Sequence, residues 1–340
     1  MRRPLRFQPV LFITLVFAIS ILWATGCSRD ESLTGPSRTQ SGGDAQALRL
    51  DSPAVMAAMV AQDRATPALL RQSGILGTGI SADAAGKPVI LVYTEKAGVA
   101  GVPKNIDGIP AQEFVTGKVV AYRKPGGGGG TLQMGTSTGN DNECAAGTLS
   151  CVLIKGGSEY FLSNNHVFAR ENAASIGERI DAPGRYDGKP RCAQTPIAAT
   201  LSDFQPINFG GNNTYDAAIA RPDPGRVYTS VSAGGYDPSS TVVSPSVGLA
   251  VKKTGRTTGL THATIQAINV TITVGYTAGT AVFTNQIQTP GSFISAGDSG
   301  SLMVTETGAD PVGLCFAGSS QATFANPIGP VLQRFAATVK

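Results

Sequence analysis

From residue 131 onward the chain is a succession of short β-rich runs: TLSCVLIK, EYFLSNNHVF, DAAIAR, GLAVKKTG, HATIQAINVTITVGY, AVFTNQIQT, SLMVTE and VGLCFAG. Gly, Asn, Asp and Pro clusters bound each run, and helical periodicity is absent until PVLQRFAATVK at the C-terminus. Runs of this length and composition fit strands joined by tight turns. Many of them in sequence predict a mainly β fold of antiparallel sandwich or barrel type. The polar, Pro-containing stretch 222–246 divides the region into halves of similar size, so two barrels in tandem are expected, about 131–222 and 246–340. No fixed-period repeat is present.

The region before it has a different texture. PGGGGG at 125–130 marks a domain boundary. Ahead of it, Ser52-Pro53 reads as a helix N-cap followed by Pro at the first helical position. Val55, Met59 and intervening Ala residues supply an apolar face, and Thr66-Pro67 restarts the pattern toward Leu69 and Leu70. GILGTGIS, KPVILVYTE, PAQEFVTG and KVVAY then read as strands. Residues 51–124 are therefore expected to form a small α/β module.

The extreme N-terminus reads as an address. Arg2, Arg3 and Arg6 precede an uncharged apolar run at 10–26, the pattern of a secretory signal; a short signal-anchor helix is the alternative. Ala24-Thr25-Gly26-Cys27 resembles a bacterial lipobox, with Ala24 in place of the commoner Leu. That resemblance implies a signal peptide at 1–26, lipidation of Cys27 and a membrane tether. An ordinary signal peptide with a chance cysteine is the competing reading. The stretch 27–50 is polar and rich in Ser, Gly and Thr, a flexible leash. Ser28 after the cysteine is compatible, by the same resemblance, with the outer membrane, facing the periplasm or cell surface. Export makes disulfides possible for Cys144, Cys151, Cys192 and Cys315, with three complete pairings open. Cys315, in an apolar run, also reads as a simple buried thiol.

Composition narrows the function. Charged residues are 15%, against a usual figure of about 25%. The surface must then be Ser, Thr, Asn and Gly, which suits strands and turns. A net charge of +4 without Lys/Arg clusters argues against a nucleic-acid partner. Only His166 and His262 exist, too few for a multi-histidine metal site, and no cofactor is expected.

Chemistry concentrates in three places. In GDSG at 297–300, Ser299 lies between glycines that permit the tight backbone an exposed nucleophile and inward-facing N–H donors require. The same four residues also make ordinary turns. A serine hydroxyl needs a general base, and His166 in YFLSNNHVFA reads as lying at the end of an apolar strand, from which it could project into a cleft. A structural histidine beside aromatics is the plainer reading. An imidazole in that role needs a carboxylate to fix its tautomer. Asp216 in NTYDAAIAR fits, unless it merely caps a strand.

The order His166, Asp216, Ser299, with 222–246 between the last two, resembles the chymotrypsin-like (trypsin-fold) serine peptidases over 131–340. That family's two antiparallel barrels carry His and Asp on the first and Ser on the second. SNNHV is similar to the histidine segment of HtrA-type and other bacterial trypsin-fold proteins. KKTGRTTGLTHATI resembles a segment of α-lytic-type peptidases, where cysteines occupy the positions of Lys252 and His262; that disulfide is absent here. FANPIGPVLQRF resembles the usual C-terminal strand and helix. The whole chain looks like a group of bacterial trypsin-like lipoproteins.

The resemblance implies a serine endopeptidase acting on peptides or proteins through an acyl-enzyme. Its oxyanion hole would be the N–H groups of Gly297 and Ser299. It places Phe293 at the base of the primary specificity pocket, which would suit small or apolar groups. His262 either lines that pocket or is a satisfied strand histidine. Ser301 departs from the Gly or Pro that usually follows GDSG. The alternative function is an inactive trypsin-fold lipoprotein that binds peptides or partners. The 51–124 module is expected to be a folding-assisting or cleft-blocking pro-region, a spacer or a docking module.

Overall fold

The computed structural model describes residues 48–121 and 131–340. The signal, Cys27, the tether and the 125–130 linker fall outside these residues. No described helix is long and apolar enough to cross a membrane.

The chain is mainly β, as its short alternating runs require. In the first half, β5 (Val152–Lys155), β6 (Ser158–Ser163), β7 (Ile197–Phe204) and β8 (Ala218–Pro222) are the central strands of an eight-stranded sheet. Its order runs β5-β6-β8-β7, all antiparallel. Ile, Leu, Val, Phe and Ala side chains of this half form one core, which includes Phe161, Ile180, Leu201 and Ala220.

The second half builds a 13-stranded sheet. It contains β9 (Ala250–Gly255), β10 (Gly259–Thr264), β11 (Ala267–Gly275), β12 (Thr280–Pro290), β13 (Leu302–Thr305), β14 (Pro311–Gly318) and β15 (Ala322–Pro327). Their order is β10-β9-β13-β14-β15-β12-β11. Helix α3 (Ile328–Phe335) follows, and the chain returns to the first sheet, where Val339 pairs with Leu153. An apolar layer joins the halves: Leu153, Leu162 and Ile219 from the first pack with Leu314, Val331 and Phe335 from the second.

The segment 48–121 continues this second sheet. Helix α1 (Pro53–Leu69) begins as the sequence suggests, with the Ser52 hydroxyl accepting the Val55 N–H at 3.3 Å and Pro53 in the first turn. It runs through Pro67 without restarting. Three strands follow, β1 (Ile75–Ala82), β2 (Pro88–Thr94) and β3 (Ile109–Val115). β1 pairs antiparallel with β11, Gly77 opposite Ile272. A Cβ at Gly77 would lie 1.9 Å from the Thr271 carbonyl oxygen, so only glycine admits that approach. Buried Gln62 on α1 seals the junction, donating to Thr78 Oγ1 and to the Asn269 carbonyl. The two-residue strand β4 (Val120–Ala121) completes the segment. All described residues belong to one compact unit.

Among the described residues one disulfide forms, Cys144–Cys192, with Cα atoms 5.1 Å apart. Cys151 and Cys315 are free and buried, and burial pushes both thiols up to about 12. They behave as small apolar side chains.

Candidate active site

His166 sits on a one-turn helix, α2 (Asn165–Phe168), just past the end of β6, and not on the strand itself. The turn closes because Asn164 is extended and its carbonyl accepts the Val167 and Phe168 N–H groups. Val167 and Phe168 are buried in the first core and fix the helix orientation. Both preceding asparagines are structural. Asn164 Nδ2 donates to the Asp216 carbonyl at 2.7 Å, and Asn165 exchanges hydrogen bonds with Asn172 while donating to the Gln205 carbonyl.

Asp216 immediately precedes the apolar entry to β8. Its carboxylate grips His166 twice: Oδ2 lies 2.5 Å from Nδ1, and Oδ1 accepts the His166 backbone N–H at 3.2 Å. Neither side chain is exposed to solvent. An ionised carboxylate only accepts, so Nδ1 carries the proton and Nε2 is the basic nitrogen. The second half also holds this aspartate. Tyr276 donates its hydroxyl to Oδ2 at 2.9 Å, and Asn326 Oδ1 accepts the Asp216 N–H at 3.1 Å.

Ser299 lies in the turn leading into β13. Gly297 and Gly300 have φ of +101° and +95°, conformations that favour glycine. A Cβ on Gly300 would also lie 2.1 Å from the Thr148 carbonyl oxygen and 2.4 Å from Ser163 Oγ. The turn is thus pressed against the first sheet. Thr148 N–H donates to the Ser299 carbonyl at 2.7 Å, and Thr148 Oγ1 donates to the Gly297 carbonyl at 2.9 Å. Gly147 fills the space between the two groups: a Cβ there would lie 2.5 Å from Val167 Cγ2 and 3.0 Å from the Ser299 carbonyl oxygen. The His166 helix and the Ser299 turn therefore flank the same backbone. The buried Ser299 hydroxyl donates to the Phe316 carbonyl at 2.9 Å.

Asp298 organises the turn from beneath. Its carboxylate accepts N–H groups of Thr257, Thr258 and Ser295 and the Thr258 hydroxyl, and it lies 3.5 Å from buried Lys253 Nζ. Burial lowers the Lys253 ammonium against the pull of Asp298. Asp298, Gly300 and Ser301 donate their N–H groups to Ser295, Cys315 and Asp298 carbonyls. Among the described residues, the Gly297 and Ser299 N–H groups have no such acceptor. Ser301 Oγ donates to the Asp298 carbonyl at 2.5 Å, so the unusual serine closes the turn.

Of the other two residues singled out in the sequence, Phe293 packs beneath the turn, with Lys253 Nζ 5.9 Å from its ring centroid, while His262 is held by a different partner. Phe293 is buried among Val251, Ile294, Met303 and Cys315, its carbonyl accepting the Thr261 hydroxyl at 2.8 Å. His262 stands on β10, half exposed, with Nδ1 2.8 Å from Glu306 Oε2.

No family model and no curated protein matches the chain. Solved structures do. A glutamic-acid-specific serine protease, described as using a histidine triad in substrate binding, covers 62% of this chain over its own full length, at 22% identity and a TM-score of 0.46. Thermobifida fusca protease A covers 62% with 98% of its own length, at 21% identity and 0.45. The Cellulomonas bogoriensis chymotrypsin covers 62% with 99% of its own length, at 20% identity and 0.42.

The sequence pointed to His166, Asp216 and Ser299 but not to Tyr276, Asn326 or Lys253. Tyr276 ends the apolar run ITVGY and Asn326 lies in FANP, where nothing local marks a residue that will touch an aspartate far away in the chain. Lys253 had at most a faint signal: Lys252 and Thr254 flank it, and it shares a strand face with Val251, two residues earlier in AVKKTG.

Proposed function

We propose that the chain is a serine endopeptidase, and the observation that carries this reading is the doubly bonded His166–Asp216 pair, set against the Ser299 turn across Gly147. Ser299 Oγ attacks a peptide carbonyl as His166 Nε2 removes its proton. To do so the hydroxyl turns from the Phe316 carbonyl toward the imidazole. Asp216 holds the tautomer and stabilises the imidazolium that forms. The Gly297 and Ser299 N–H groups receive the oxyanion, an interaction typically worth on the order of 10²–10³ in turnover. His166 then protonates the leaving amine, and water resolves the acyl-enzyme. A fluorophosphonate probe should label the wild type and not Ser299→Ala; equal labelling of both sinks the assignment.

One observation favours a second reading, an inactive peptide- or partner-binding protein. Ser299 is wholly buried and its proton is engaged by Phe316. Folded wild type that resists the probe at every pH tested would support it. For location, we propose export and tethering through lipidated Cys27 to the bacterial envelope, at the outer membrane, with peptides rather than nucleic acid as partners. Palmitate incorporation that persists in Cys27→Ala would refute the anchor.

A further inference from the structure

Between the two halves, bounded on one side by β9, lies a cavity of about 340 Å³. Leu132, Ala182 and Pro183 line it from the first half, and Thr254, Gly255 and Leu260 from the second. The halves touch at its wall where Gly135, at a φ of +80°, passes Thr254: a Cβ there would lie 2.8 Å from Thr254 Cβ. Pockets that hold small ligands span about 300–1,000 Å³, so the volume is sufficient. Among the described residues, the charged groups lining it are Arg226 and Arg256.

The two arginines differ. Arg256 is already paired: Nε and Nη2 donate to the Asp187 carboxylate, and both side chains are 1% exposed. Arg226 has no carboxylate partner among the described residues. Its Nη2 donates to the Ala182 carbonyl at 3.3 Å, while its Nε N–H is buried without an acceptor. A buried donor left unmet is costly, and one on a cation most of all. A carboxylate relieves it by accepting from Nε and from the second Nη2 hydrogen side by side, a pairing that a guanidinium offers and an ammonium does not. Leu132, Pro183 and Leu260 then receive the apolar remainder of the molecule.

The cavity also touches the support of the nucleophile. Gly255 separates it from Asp298: a Cβ at Gly255 would lie 2.5 Å from Asp298 Oδ1 and 2.6 Å from Ser301 Oγ. Arg256, the next residue, donates its N–H to Thr148 Oγ1 at 3.1 Å, and that hydroxyl donates to the Gly297 carbonyl. Thr257 and Thr258 follow, and their N–H groups hold the Asp298 carboxylate. A ligand in the cavity therefore restrains the loop that holds the Ser299 turn.

We infer that this cavity is a regulatory site for a small organic carboxylate with an apolar body, bound by Arg226, which orders the Ser299 turn and raises its reactivity. A short fatty acid and the C-terminal residue of a peptide share that chemistry. The rate effect rests on the peptidase reading; the binding does not.

The test titrates the full chain with hexanoate, N-acetyl-leucine and the neutral N-acetyl-leucinamide by ligand-observed NMR, then repeats fluorophosphonate labelling with each acid. At least one acid should bind saturably, and the amide at least roughly tenfold more weakly. Tighter binding of hexanoate assigns the site to fatty acids, and tighter binding of N-acetyl-leucine to peptide termini. Arg226→Lys, with its ligand-free Tm unchanged, should weaken the acid roughly tenfold. Saturating acid should raise the wild-type labelling rate roughly fivefold and act less on Arg226→Lys at the same concentration. If Arg226→Lys does not fold, the comparison of acid with amide on wild type decides alone. Failure of both acids to bind overturns the inference, as does an amide or an Arg226→Lys variant that binds equally well. Acid that binds but leaves the rate of a labelling protein unchanged overturns the regulatory role. Wild type that binds acid yet never labels defeats the peptidase reading and leaves the binding site standing.

Discussion

Tyr276 and His166 converge on a single oxygen, Oδ2 of Asp216, at 2.9 and 2.5 Å. The two come from different halves of the molecule, so the buried carboxylate ties the halves together where the chemistry is proposed. The rings also meet, with centroids 5.9 Å apart in an edge arrangement. Tyr276→Phe keeps that packing and deletes only the hydroxyl. A hydrogen bond to a charged group contributes about 1.5–3 kcal/mol. Turnover and probe labelling are expected to fall roughly tenfold while KM for a peptide changes little. An unchanged kcat would confine Tyr276 to packing.

Much of this arrangement was legible beforehand, for physical reasons. Strand runs and turn clusters are local signals, and they foretold a mainly β chain. The scarcity of histidine left His166 as the credible base, and GDSG carried its own glycine logic. The pairing of β1 with β11 was not legible. It joins Gly77 to Ile272 across nearly two hundred residues, and the texture of 51–124 alone suggested a separate module. The α2 turn was missed because EYFLSNNHVF reads as one β-rich run, while Asn164 ends the strand and takes the N-cap position of the helix. Ser299 bonding to Phe316 is a rotamer choice that no sequence pattern encodes.

The buried pair beneath the nucleophile turn gives a stability test. Lys253 and Asp298 are both fully buried, and the ammonium also donates to the Thr258 hydroxyl and the Gly259 carbonyl. Removing one member leaves the other charge uncompensated, at a cost of roughly 3–5 kcal/mol. Lys253→Met should lose stability on that scale in urea unfolding and slow probe labelling, because the turn loses its support. Lys253→Met combined with Asp298→Asn should cost less than the two singles added. Strict additivity in that cycle would mean the pair is not coupled.

The disulfide constrains the unfolded chain more than it shapes the folded one. Cys144 and Cys192 are 48 residues apart, and closing a loop of that size corresponds to about 4 kcal/mol in the chain-entropy model. The double Ser variant is expected to lose stability of that order while Cys151 and Cys315 stay unreactive toward a thiol reagent until unfolding. Rapid reaction of either buried thiol in native protein would contradict their burial.

Asp181 predicts how stability depends on pH. Burial, joined by the nearby negative charge of Asp141, raises its carboxyl to about 7, against which the Thr195 hydroxyl and Arg185 pull downward. In the unfolded chain the ordinary value is 3.8. Between these values the folded protein holds a proton that the unfolded chain has released, so raising the pH through this range favours unfolding. Stability should therefore fall, by on the order of 2–4 kcal/mol, from about pH 4 to about pH 7, and then level off. Asp181→Asn removes the titration and should flatten that slope, gaining most over wild type above pH 7. Denaturant melts at pH 4.5 and 7.5 decide it: equal slopes for wild type and variant would show that Asp181 is already ionised in the folded state.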